Sequence, residues 1–144
     1  MGKRLPSQRR GKGSVYRAPS HRYKSDAKYP NSKSLSGRVL DLVHDPGHTS
    51  VLALISWKDG GKSYVLSPEG LKVGDEIGNS GERGDVMELA SIPEGKTIFN
   101  IELRRGDGGS LVRGAGTYAA MVSHDRDWAI VRLPSGELKR LKAD

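Results

Sequence analysis

The sequence predicts an all-β chain built from one or two small barrels, on three observations. From Leu35 onward, short apolar runs alternate with turn chemistry. Gly supplies 19 of 144 residues, about twice its usual ~7% share, and punctuates those runs. No segment sustains a 3.6-residue apolar period beyond two turns, so amphipathic helices are not expected.

The elements follow in order. Leu35 to Val43 reads as a strand, with Leu35, Val39 and Val43 on one face, broken by Asp45-Pro46-Gly47. Val51 to Trp57 is apolar on both faces and so reads as a buried strand. Asp59-Gly60-Gly61 turns the chain into a short strand, Ser63 to Leu66, and Ser67-Pro68-Glu69-Gly70 turns it again. Leu71, Val73 and Ile77 frame a tight bend at Gly74-Asp75, and a run from Val86 to Ile92 ends at Pro93-Glu94-Gly95. A second set begins with a strand over Ile98 to Leu103 and a Gly-rich basic loop over Arg104 to Ser110. Leu111-Val112, Thr117 to Ser123, Trp128 to Leu133 and Glu137 to Leu141 complete it. The seam between the sets is expected near Ala90 to Gly95, giving units over 35–90 and 91–144 behind a tail over 1–34. The second set has few strands for a closed barrel and reads as incomplete. Trp57 and Trp128 fall in apolar strands and are expected in the core.

Charge separates the tail from the body. The first 36 residues carry 10 Lys or Arg and one acid, Asp26; the remaining 108 carry 14 bases and 16 acids. The excess of +7 is thus about +9 in the tail and −2 in the body. Such asymmetry marks a polyanion binder, nucleic acid first. The tail has almost no aliphatic side chains beyond Leu5 and Val15, so it cannot offset the entropy of ordering and is expected to be disordered when free. Arg4, Arg9, Arg10, Lys12, Arg17, Arg22, Lys24 and Lys28 are spread along it, with Tyr16, His21, Tyr23 and Tyr29 between them. Basic groups neutralise phosphates, and interleaved rings stack on unpaired bases. The competing reading is a solvated tail or a localisation signal.

In the body, Arg104-Arg105-Gly106-Asp107-Gly108-Gly109 is the densest motif. Its glycines are expected to offer backbone N–H groups to phosphate between flanking arginines. Arg113-Gly114-Ala115-Gly116-Thr117-Tyr118 repeats a base beside small residues, and Arg113 is suited to a bidentate phosphate or guanine contact. The competing reading is a hairpin loop whose glycines only satisfy turn geometry. No Gly-Lys-Ser/Thr follows, so this is not a P-loop. His44-Asp45-Pro46-Gly47-His48 lacks a third metal ligand and reads as a loop presenting His48, or as a turn with exposed polar tips. Ser123-His124-Asp125 holds triad residue types without triad spacing. Lys139, Arg140 and Lys142 form a second basic patch, by default a solvated face. No Cys means no disulfide framework, and no apolar stretch approaches the ~20 residues of a membrane span. No metal, cofactor, membrane or small-molecule substrate is expected, and a cytoplasmic location is.

With those residues in view, the chain resembles the universal large-subunit ribosomal protein L-two family in its archaeal and eukaryotic form. The matching segments run from Arg9-Arg10-Gly11-Lys12-Gly13-Ser14-Val15-Tyr16-Arg17-Ala18 through Val43-His44-Asp45-Pro46-Gly47 and Pro68-Glu69-Gly70-Leu71. They continue with Ile92-Pro93-Glu94-Gly95, Phe99-Asn100-Ile101-Glu102, Gly106-Asp107-Gly108-Gly109, Gly116-Thr117-Tyr118-Ala119 and Leu133-Pro134-Ser135-Gly136, in family order. The resemblance implies an OB-fold followed by an SH3-like barrel, both on large-subunit rRNA, with the tail threading between rRNA helices. It implies neighbouring large-subunit proteins, contact with the small subunit and a place near the peptidyl transferase centre. By position, the loop at His48 and the segment around Arg113 are the implied barrel contacts; the family usually has Arg where this chain has His48. The segment Gly81 to Ala90 departs from the family pattern. Family members also continue past the position of Asp144 with a further strand and a long basic extension, so a truncated or shortened form is expected, with no role in peptide-bond chemistry carried over.

The leading expectation is therefore a structural rRNA-binding protein, not an enzyme. The alternative is a transiently bound RNA-binding translation factor built from small barrels. A hydrolase using His44, His48 or His124 lacks any placed nucleophile.

Overall fold

The structure, a computed structural model, describes Gly2 and residues 20–31 and 35–144. It is all-β, with no α-helix among the described residues. The strands are β1 (Gly37–Val43), β2 (Leu52–Trp57), β3 (Lys62–Leu66), β4 (Glu76–Ile77), β5 (Thr97–Ile98), β6 (Ala119–His124), β7 (Trp128–Arg132) and β8 (Leu138–Lys142). They form two antiparallel four-stranded sheets, β3-β2-β1-β4 and β5-β6-β7-β8. This agrees with the expected OB-fold followed by an SH3-like domain.

Each sheet has its own core. Val39, Ala53, Ile55, Trp57, Val65, Leu71 and Ile77 fill the first; Ile101, Ala119, Met121, Ala129, Val131 and Leu141 fill the second. A bulge between Val39 and Asp41 shifts the alternation of β1 and leaves Leu40 exposed. The two-faced apolarity of β2 has a clear cause. Ala53, Ile55 and Trp57 face the first core, while Leu52 joins Ala27 and Leu66 in a third cluster against Tyr64 and Phe99. That cluster joins the tail, the first sheet and the start of the second half.

The run Val86 to Ile92 holds a 3-10 turn over Leu89–Ser91, with Leu89 and Ile92 against the second core. Two expectations need correction. The strand expected over Ile98 to Leu103 stops at Ile98, because Asn100 adopts φ +50° and only an isolated bridge, Ile101 to Leu111, continues the pairing. Trp57 is in the core and donates from Nε1 to Ser63 Oγ at 2.7 Å, but Trp128 is 38% exposed. Ala129 and Val131 take the inward positions of β7, and the period of two turns Trp128 and Ile130 outward.

Candidate nucleic-acid interface

The interface begins where the tail meets the body. Residues 20–31 are not a free arm: Ala27 is 1% exposed and bridges in parallel to Tyr64 on β3. Lys28 donates its N–H to Tyr64 O at 3.0 Å and Tyr29 donates to Gly108 O at 3.2 Å. Tyr29 packs against the first core. Burial raises its phenol to about 12, partly offset by the Asn100 side chain. It is therefore a packing residue, not the stacking ring expected. Tyr23 stays 42% exposed, its ring beside Gly47. Arg4, Arg9, Arg10, Lys12 and Arg17 lie outside the described residues.

The His44 to His48 loop is built around Asp45, which is fully buried rather than an exposed tip. Its carboxylate contacts His48 Nδ1 at 2.5 Å and accepts the Lys24 N–H at 2.9 Å. The His48 bond, then the Lys24 N–H, hold this carboxyl below its ordinary range against the cost of burial. The loop thus fastens the tail as well as presenting His48.

The Gly-rich loop corrects a further expectation. Its N–H groups are not open to phosphate, because the loop supplies its own anions. Glu102 accepts from Gly106 N at 2.9 Å and Gly108 N at 2.8 Å. Asp107 accepts from Leu103 N at 2.9 Å, Arg104 N at 3.1 Å, Gly109 N at 2.9 Å and Ser110 Oγ at 3.0 Å. Burial alone would raise the Asp107 pKa, but these bonds outweigh it and hold it low. The glycines serve another end. At Gly108 and Gly109, φ is +87° and +101°, and an added Cβ would lie 2.8 Å from Lys28 Cβ and 2.3 Å from Asn100 Oδ1. The signal for this was in the motif: an Asp within a Gly run caps its own backbone. Asp85, which the sequence reading passed over, does the same for Gly78, Ser80, Gly81 and Glu82.

Arg113 is half-buried, and both terminal nitrogens are engaged. Nη1 donates to Gly109 O and Nη2 donates to Ala27 O, the latter at 2.7 Å. It clamps the Gly-rich loop to the tail. In the same segment, Ala115 N donates to Thr49 Oγ1 at 3.1 Å, which brings the His48 loop against the Arg113 loop. Thr117 Oγ1 is turned to Gly114 O at 2.6 Å, while Gly116 and Tyr118, the latter 62% exposed, face outward. The structure therefore gathers the docked tail, the His48 loop and both Arg-Gly loops. His21, Arg22, Lys24 and Lys28 are exposed, and Arg104 and Arg105 are exposed at the start of the Gly-rich loop. Arg105 is loosely paired with Glu88 and Asp144 at 3.8 and 3.9 Å, distances that cost a competing anion little.

The family model described as Ribosomal Proteins L2, RNA binding N-terminal domain, matches residues 7–79, and the L2 C-terminal domain model matches residues 82–144. The chain belongs to the ribosomal protein L2 family. Among its relatives is the large ribosomal subunit protein uL2 of Methanothermobacter thermautotrophicus, 46% identical over 98% of this chain and 63% of that protein. The uL2 of Natronomonas pharaonis is 47% identical over the whole chain and 63% of its own length. That of Haloarcula marismortui is 46% identical over 98% of this chain and 62% of its own length. This L2-family chain thus spans a little under two thirds of the length of these relatives. The two family models divide it between the first and second sheets.

Proposed function

We propose that this chain is a structural constituent of the large ribosomal subunit that binds large-subunit rRNA. The observation that carries the reading is the match to the RNA-binding N-terminal model, which takes in most of the basic tail as well as the first sheet. The tail, residues 1–34, supplies Arg4, Arg9, Arg10, Lys12, Arg17, His21, Arg22, Lys24 and Lys28 as phosphate contacts. The units over 35–90 and 91–144 act as a shaped support, presenting His48, Arg104, Arg105, Tyr118 and the Arg113 segment. Binding is by charge neutralisation and shape, without catalysis. The family resemblance extends the proposal to a cytoplasmic ribosome, to neighbouring large-subunit proteins, and to the region near the peptidyl transferase centre and the small subunit.

Arg113 enters this proposal indirectly. With its fork on two carbonyls, it positions the tail for RNA. The test of the whole reading is sedimentation of tagged protein with large subunits through a high-salt cushion. Retention with large subunits is expected; release into the supernatant would favour a transient factor instead.

A further inference from the structure

The function just proposed leaves the outer face of β7 and β8 unused. In register, Trp128 lies opposite Lys142, Ile130 opposite Arg140 and Arg132 opposite Leu138. Ala129, Val131 and Leu141 point inward, so these six point outward. The face is both apolar and cationic. Trp128 is 38%, Ile130 36% and Leu138 57% exposed, and neither strand contains an acid. Arg140 Cζ lies 4.1 Å from the centre of the Trp128 ring, a diagonal cross-strand stack. Among the described residues, Arg140 has no ion pair; those found involve Lys28, His48 and Arg105. A recess beside the indole is lined by Arg126, Asp127, Trp128, Lys142 and Asp144.

We infer that this face is a second RNA-contact surface, on which an unpaired nucleobase stacks over the Arg140–Trp128 pair while Arg132 and Lys142 hold the adjoining phosphates. The inference rests on the reading that the chain works among RNA. Arg140, exposed and 4.1 Å from the centre of the indole, offers with it an apolar and cationic platform that suits a base. Arg132 and Lys142, at opposite ends of the paired strands, are left for the phosphates. An acidic peptide would satisfy the cations but has no use for the indole–guanidinium pair, and Asp127 and Asp144 line the adjoining recess. Those same carboxylates accept hydrogen bonds from the amino group of a base.

The test is a tryptophan-emission titration of the full chain with oligoadenylate of about ten nucleotides. Trp57 is 3% exposed, so the response reports on Trp128. Oligoadenylate is expected to change the emission, duplex RNA to change it far less, and Arg140→Gln to move the midpoint about tenfold. Trp128→Phe, which keeps an aromatic on the strand, is expected to abolish the signal. No change in emission, an unmoved midpoint in Arg140→Gln, or an equal response to polyglutamate would overturn the inference. Sedimentation with large subunits is read separately. Retention without an emission change removes this surface alone; release with the emission change intact removes the ribosomal reading alone.

Discussion

Asp45 shows how much one side chain can organise. Its carboxylate is buried, and it holds both His48 and the Lys24 N–H. Because those bonds lower its pKa below the ordinary 3.8, the stabilisation is present above that value and is lost as the pH falls through the folded value. Asp45→Asn should therefore be less stable than the parent at neutral pH, with the gap in urea midpoint closing below about pH 4. A gap independent of pH would mean that shape rather than charge matters there. Tyr29 works at the other end of the scale. Its phenol is raised to about 12 from 10.0, so its contribution to stability should be constant below pH 10 and be lost as the pH rises towards 12. The loss should be roughly 2–3 kcal/mol, and Tyr29→Phe should remove it. The glycines offer a paired test. Gly136 has φ +88° with open space around it, so Ala there should cost only the ~1–2 kcal/mol of left-handed backbone. At Gly109 the same strain is joined by the clash with Asn100, and thermal denaturation should show a clearly larger loss. Equal losses would mean that Asn100 moves aside freely.

Among the elements, the docked tail carries the most consequence. Four ties hold residues 20–31: the Asp45 carboxylate, the Tyr64 bridge, the Gly108 carbonyl and the Arg113 fork. Removing Arg113 should loosen this segment by about 1.5–3 kcal/mol, the range for hydrogen bonds from a charged group. Hydrogen exchange at the Lys28 amide should then accelerate while exchange in β6 and β7 does not. Unchanged exchange at Lys28 would show that the clamp is dispensable. Much at this scale was legible in the sequence. Alternation and turn residues located β1 to β3 and β6 to β8 within a residue or two, because each is bounded by Gly, Pro or Asp. What was not legible depended on partners distant in the chain. Ala27 is buried because Leu52, Leu66, Tyr64 and Phe99 pack around it. Trp128 is exposed only because smaller neighbours fill the second core. The Gly-rich loop looked like a phosphate cradle because glycines signal close approach without naming what approaches, and here it is Glu102, Asp107, Lys28 and Asn100.

At the scale of the whole molecule, the division of charge is the leading fact: about +9 in the first 36 residues against −2 in the rest. Composition alone revealed it, and it is the part of the interface that needed no structure. What composition could not reveal is that residues 20–31 of the tail belong to the folded body, tied to the His48 loop through Asp45 and to the Arg113 loop through its guanidinium. The proposed function has the basic tail and these loops bind large-subunit rRNA through both charge and shape. The measurement that tests it most directly compares the full chain with a chain lacking residues 1–19. Each is titrated with a large-subunit rRNA fragment and with an unrelated structured RNA of equal length, from about 50 to about 200 mM salt. The account predicts tighter binding to the rRNA fragment for both chains. It also predicts a salt slope reduced by up to about 5 on removal of the six bases, at ~0.7–0.9 per phosphate contact. Equal affinity for the two RNAs, or a slope that the deletion leaves unchanged, would contradict it.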